Sequence, residues 1–191
     1  MTTLSDNVLL NRIAQGDEAS FQAVFDAHYD RVYGLLFRLV GTRVEAEDLA
    51  QELFLKLHQQ AFARRFLPNR EHNIGAWLYR TATNMGYNAI RGRKRRWQRD
   101  TLLVPDPAGG PDAEAEVARR ERETAVRRTL AQLPERDAQL LLLRQMDFSY
   151  AECAEIIGVK PGSVGTLLAR AADAFRRTYA ELHQEKSDET N

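Results

Sequence analysis

The chain has 191 residues, and its 27 Lys and Arg balance 27 Asp and Glu, so the formal charge is zero; 43% of it is hydrophobic. That length allows one domain or two small ones, the balance suits a globular protein, and a single cysteine excludes an internal disulfide and any multi-cysteine zinc site. No apolar run is long enough to span a bilayer, and the opening MTTLSDN lacks the charged and apolar regions of a secretory signal, so a cytoplasmic protein without membrane insertion is expected.

In chain order, the first strong periodicity covers residues 21–40, where Phe21, Val24, Phe25, Tyr29, Val32, Leu35, Leu36 and Leu39 recur at spacings of three and four. This is one face of an amphipathic helix. A second helix is expected over 46–59, with Leu49, Leu53, Phe54 and Leu57 as its stripe. Glu45, Glu47, Asp48 and Glu52 gather toward its start, where they favour the helix dipole. A third should run from about Ile74 with Trp77, Leu78, Thr81, Met85 and Ile90 on its buried side. Three such helices make a small domain, drawn here over residues 17–99.

The third helix carries Arg80, Asn84 and Asn88 and runs into Arg91, Arg93, Lys94, Arg95, Arg96 and Arg99, a patch able to neutralise several phosphates. Trp77, Tyr79, Tyr87 and Trp97 sit among these charges and can stack on unpaired bases, at about 1 to 3 kcal/mol per base, although core packing is favoured for Trp77. Pro105, Pro107, Gly109, Gly110 and Pro111 follow, a composition that resists helix and strand, so residues 100–117 read as a flexible linker to a second helical domain over 118–185.

Within that domain, SYAECAEIIGVKPGSVGTLLARA at 149–171 has the spacing of a helix-turn-helix. Ser149 and Glu152 form a capping box, Ala154 supplies a small residue where helices cross, Gly158 permits the turn, Pro161 suits the next helix start and Val164 anchors it. Cys153, Ile157, Val159, Val164, Leu167 and Leu168 are spaced to face inward, which leaves Lys160, Ser163, Gly165, Thr166, Ala169 and Arg170 toward solvent or a DNA groove. An enzyme is disfavoured: the four histidines are scattered, no HExxH or paired-cysteine motif occurs, and neither a metal nor a cofactor is expected. A DNA-binding regulator whose first half serves as a dimerisation or sensing domain explains the second domain equally well. It does not explain an acidic, apolar helix beside a basic, aromatic one in the first.

Together these strings resemble the extracytoplasmic-function group of the sigma-70 family, an all-α class of bacterial initiation factors with two small helical domains joined by a flexible linker. FQAVFDAHYDRVYGLLFRLVGTRVEAEDLAQELFLKLHQ and WLYRTATNMGYNAIRGRKRR look like region 2, and LAQLPERDAQLLLLRQMDFSYAECAEIIGVKPGSVGTLLARA looks like region 4. The resemblance implies binding to RNA polymerase core at its clamp and flap, with Asp48, Leu49, Gln51, Glu52, Phe54, Leu55 and Leu57 divided between docking and holding the domain together. It also implies minus 10 recognition and melting by Arg80, Asn84, Asn88, Arg91, Arg93, Lys94, Arg95 and Arg96. Asn84 matches the family's base-pocket asparagine, and the base-capturing loop falls at 64–73. Minus 35 recognition then falls to Lys160, Ser163, Thr166 and Arg170, and an anti-sigma protein is the implied inhibitory partner.

Overall fold

A computed structural model describes residues 4–63, 72–97 and 113–188. Every regular element among them is helical: α1 (Asp6–Ala14), α2 (Glu18–Val40), α3 (Arg43–Phe62), α4 (Ile74–Trp97), α5 (Ala113–Gln132), α6 (Glu135–Gln145), α7 (Tyr150–Ile157), a 3-10 turn (Pro161–Ser163) and α8 (Val164–Asp188). The chain divides into two compact units, Met1–Gly86 and Tyr87–Asn191. The division falls inside α4. The segments 64–71 and 98–112, which hold most of the expected base-capturing loop and of the linker, lie outside the described residues.

In the first unit, α2 starts three residues before the periodic stripe because Asp17 caps it. Its carboxylate accepts from the Ala19 amide at 3.1 Å and from the Ser20 hydroxyl at 2.7 Å, and the second bond holds its pKa below the usual carboxylate range. Gly41, at φ 82°, ends the helix in the left-handed region. Val32, Leu35, Leu36, Leu53, Leu57 and Leu78 are fully enclosed between α2, α3 and α4, and the Phe25 and Phe54 rings meet at 4.8 Å. Helix α1 was not anticipated, and the boundary drawn at residue 17 leaves it out. Leu10 and Ile13, three apart, bury it against α2 and α3.

In the second unit, α5 begins at Ala113, so the last residues assigned to the linker are helical. Helix α6 opens after Pro134, which lacks an amide hydrogen at a position that needs none. Leu140, Leu143, Phe148, Cys153, Ile156, Val164 and Ala171 form the core shared by α6, α7 and α8. Between α6 and α7 the chain reverses at Asp147 (φ 61°), and the Arg144 guanidinium donates to the Phe148 carbonyl while lying 5.3 Å from the Tyr150 ring centre.

Candidate nucleic-acid interface

The part of helix α4 that belongs to the first unit, residues 74–86, is set into it so deeply that little of it meets water. Ile74, Gly75, Ala76, Leu78, Tyr79, Ala82, Thr83, Met85 and Gly86 are buried, and the small residues among them let neighbouring helices approach from several sides. A Cβ built on Gly86 would stand 2.7 Å from Leu39 Cδ1 on α2. What stays exposed is a stripe of Arg80, Asn84, Asn88 and Arg91, spaced four, four and three residues apart on one face. Two guanidinium groups and two amides along a rod offer phosphate contacts and donor and acceptor pairs for base edges. Arg91 is ion-paired with Glu135 at 2.7 Å, both belonging to the second unit; the pair is solvent-accessible, so a phosphate can compete for it at little cost. Arg93, Lys94, Arg95 and Arg96 continue the helix, and their side chains lie outside those described.

The aromatic residues expected to stack on bases divide differently. Tyr79 and Tyr87 are buried and cannot present a ring face to a nucleobase. The Tyr79 hydroxyl lies 3.3 Å from His28 Nδ1, with the Arg31 guanidinium 6.0 Å from its ring centre. Burial lowers the His28 pKa, Arg31 adds to that, and Asp6 opposes it. Burial likewise pushes the Tyr87 hydroxyl well up. Trp77, favoured as core, is only half-buried, and Trp97 falls where the side chain is not described.

The helix-turn-helix follows its expected chemistry closely. The Ser149 hydroxyl accepts from the Glu152 amide at 3.2 Å while the Glu152 carboxylate accepts from the Ser149 amide at 2.7 Å. Gly158 takes the left-handed conformation at φ 72°, and Pro161 opens the 3-10 turn that leads into α8. Cys153, Ala154, Ile156 and Val164 are the buried positions; Ile157, Val159, Leu167 and Leu168 are half-buried. Lys160, Ser163, Thr166 and Arg170 are all exposed, on the turn and the first turns of α8.

A third surface lies on α3. Asp48, Gln51, Glu52 and Leu55 are exposed, Leu49 is half-buried, and Glu52 pairs with Lys56 at 3.1 Å. Phe54 and Leu57 are 2% and 0% exposed, so of the seven residues divided between docking and holding the domain together these two fall to the core and not to a docking face. Sequence reasoning missed Val44 and Phe62, which are 71% and 64% exposed and extend the 55% exposed Leu55 into one stripe. The signal was present in the spacing of 44, 48, 51, 55 and 62, which keeps to one helical face. Among the described residues no group of three or more His, Cys, Asp or Glu is placed to hold a metal, and no helix is long and apolar enough to cross a membrane.

Residues 24–96 match the family model for Sigma-70 region 2, and residues 123–174 match that for Sigma-70, region 4. The ECF RNA polymerase sigma-E factor of Haemophilus influenzae is 30% identical over 190 residues, 94% of this chain and 97% of that protein. The chain belongs to the sigma-70 family, in its extracytoplasmic-function group. The ECF RNA polymerase sigma factor SigW of Bacillus subtilis is 28% identical over 183 residues, covering 91% of this sigma factor and 96% of that one. The solved structure of CnrH in complex with the cytosolic domain of CnrY shares the fold, with a TM-score of 0.60 at 18% identity over 94% of this chain and 97% of that one. As a member of the family, this protein directs promoter-dependent transcription initiation by RNA polymerase. Helix α1 precedes the region 2 match, and the region 4 match ends within α8.

Proposed function

We propose that the sigma factor reads and opens the minus 10 element with the α4 stripe of Arg80, Asn84, Asn88 and Arg91, assisted by Arg93, Lys94, Arg95 and Arg96. It reads the minus 35 element with Lys160, Ser163, Thr166 and Arg170. The observation that carries this reading is the exposure of four DNA-competent side chains on one face of α4, whose other positions over residues 74–92 are buried or half-buried. Strand opening then needs no catalytic group, and the protein acts without enzymatic chemistry: it binds the separated strand better than the duplex and shifts the melting equilibrium. Extruding a base costs a few kcal/mol, which one amide pocket and several phosphate contacts offset.

Polymerase core docks on the α3 face of Asp48, Leu49, Gln51, Glu52 and Leu55, with Val44 and Phe62 at its ends, while the second domain meets the polymerase flap. Acting with polymerase on promoter DNA places the protein in the cytoplasm. CnrH was solved in complex with the cytosolic domain of CnrY, and by that likeness a protein partner, an anti-sigma factor, is the corresponding expectation here.

The experiment is co-purification with RNA polymerase core, then transcription from a promoter-fragment library. Core binding with initiation at a defined pair of elements supports the reading; DNA binding without core binding would overturn the α3 assignment. Replacing Arg93, Lys94, Arg95 and Arg96 by alanine should leave core binding intact and flatten the salt dependence of promoter binding by about 3 to 4 in logarithmic slope.

A further inference from the structure

The first helical amide of α4, and an amide two residues ahead of the helix, find their acceptors not in the adjacent chain but on α1. The Ile74 amide donates to Asp6 Oδ2 at 2.6 Å, and the His72 amide donates to Asn7 Oδ1 at 3.1 Å, across 68 and 65 residues of sequence. Asn73, the residue before the helix, caps it locally: its Oδ1 accepts from the Ala76 amide at 2.7 Å and its carbonyl from the Trp77 amide at 3.0 Å. The first amides of a helix have no intrahelical acceptor, so side chains that bind them fix where the helix starts and how its first turn is phased. The body of α1 is meanwhile fastened to α2 and α3 through Leu10 and Ile13. It thus ties the start of α4 to the two helices beneath it. A second contact braces the same turn, since a Cβ on Gly75 would lie 3.2 Å from His28 Cε1 on α2.

We propose that Asp6 and Asn7 are positioning residues for promoter reading: by holding the first amide of α4 and the chain leading into it from outside the matched region 2, they set the register in which Arg80 and Asn84 meet the separated strand. Arg80 lies less than two turns beyond Ile74, so a first turn that frays or shifts its phase carries the start of the stripe with it. The inference rests on the minus 10 role proposed for that stripe. It adds a requirement that the stripe alone does not have, namely an intact bracket at the other end of the domain.

The test uses the full chain bound to polymerase core. Its probes are single-stranded oligonucleotides carrying the minus 10 sequence returned by the promoter library and a one-base variant of it. The double substitution Asp6→Ala with Asn7→Ala should reduce discrimination between the two oligonucleotides about fivefold, the population effect of a lost cap, with core affinity unchanged. Asp6→Asn keeps an oxygen that accepts from the Ile74 amide and should retain wild-type discrimination. Unchanged discrimination in the double variant would overturn the proposal. So would a loss matched by an equal fall in core affinity, or an Asp6→Asn variant as poor as the alanine form. Wild-type protein that binds core but does not discriminate at all would instead overturn the minus 10 reading itself.

Discussion

Helices α4 and α8 each carry a stripe proposed to meet DNA, and they are held in different ways. The start and middle of α4 are enclosed on most sides by α2 and its neighbours, leaving one exposed row. Among the described positions of α8, only Val164 and Ala171 are buried, and the rest of its reading segment is half-buried or open. Enclosure fixes a helix in rotation and tilt, whereas two anchors seven residues apart fix its line and leave its azimuth to smaller contacts. The first surface is suited to discriminating single bases, and the second to settling into a groove whose shape varies.

The sharpest way to break this contrast is to remove one anchor from each helix. Leu78→Ala should cost about 3 kcal/mol and Val164→Ala about 2 kcal/mol in denaturant unfolding followed by circular dichroism, since both residues are fully buried and the first loses more volume. A larger loss at Val164 would show that α8 is held more tightly than its exposure indicates. Next in size, Ser149→Ala removes the capping box of α7 and should weaken that helix by about 1 kcal/mol. Hydrogen exchange should then quicken in α7 and leave α4 unaffected. A smaller effect is expected from Arg170→Ala, which should lower the salt slope of promoter binding by about 1, because one phosphate fewer is neutralised. An unchanged slope would remove Arg170 from the interface.

The smallest effect concerns pH at the junction of α1, α2 and α4. The His28 pKa is lowered from 6.5 by burial, so the unfolded chain takes up a proton at a pH where the folded one does not. Stability from this group is therefore complete above about 6.5 and falls as pH drops through that value toward the folded pKa. His28→Gln should flatten the acid side of the stability profile, and an unaltered profile would assign the loss to other groups.

The regular elements that stood out in the sequence were those whose information is local. The stripes of α2 and α3, the capping box at Ser149 and Glu152, and the glycine turn at Gly158 depend on neighbours a few residues away, and each is found in the structure. Helix α1 was missed because Leu10 and Ile13 are its only buried residues, too few to show a period, and because its leading polar residues cap another helix. Tyr79 and Tyr87 looked like base-stacking residues because aromatics among cations suggest nucleic acid. Their burial follows from Ala82 and Gly86 between them, which let α4 pack closely against its neighbours. The exposed members of the stripe, Arg80, Asn84 and Asn88, were legible because polar residues one turn apart on an amphipathic helix have little choice of side.

The chain's single thiol gives the second domain a built-in clock. Cys153 is buried beneath α7, it points toward the Phe148 carbonyl at 3.8 Å, and burial pushes its pKa up, so in the closed domain it is both protonated and shielded. An alkylating reagent can reach it only when the helix-turn-helix opens, because the reacting species is the exposed thiolate. With no second cysteine to compete, the labelling rate reports the opening of this one motif in an otherwise silent protein.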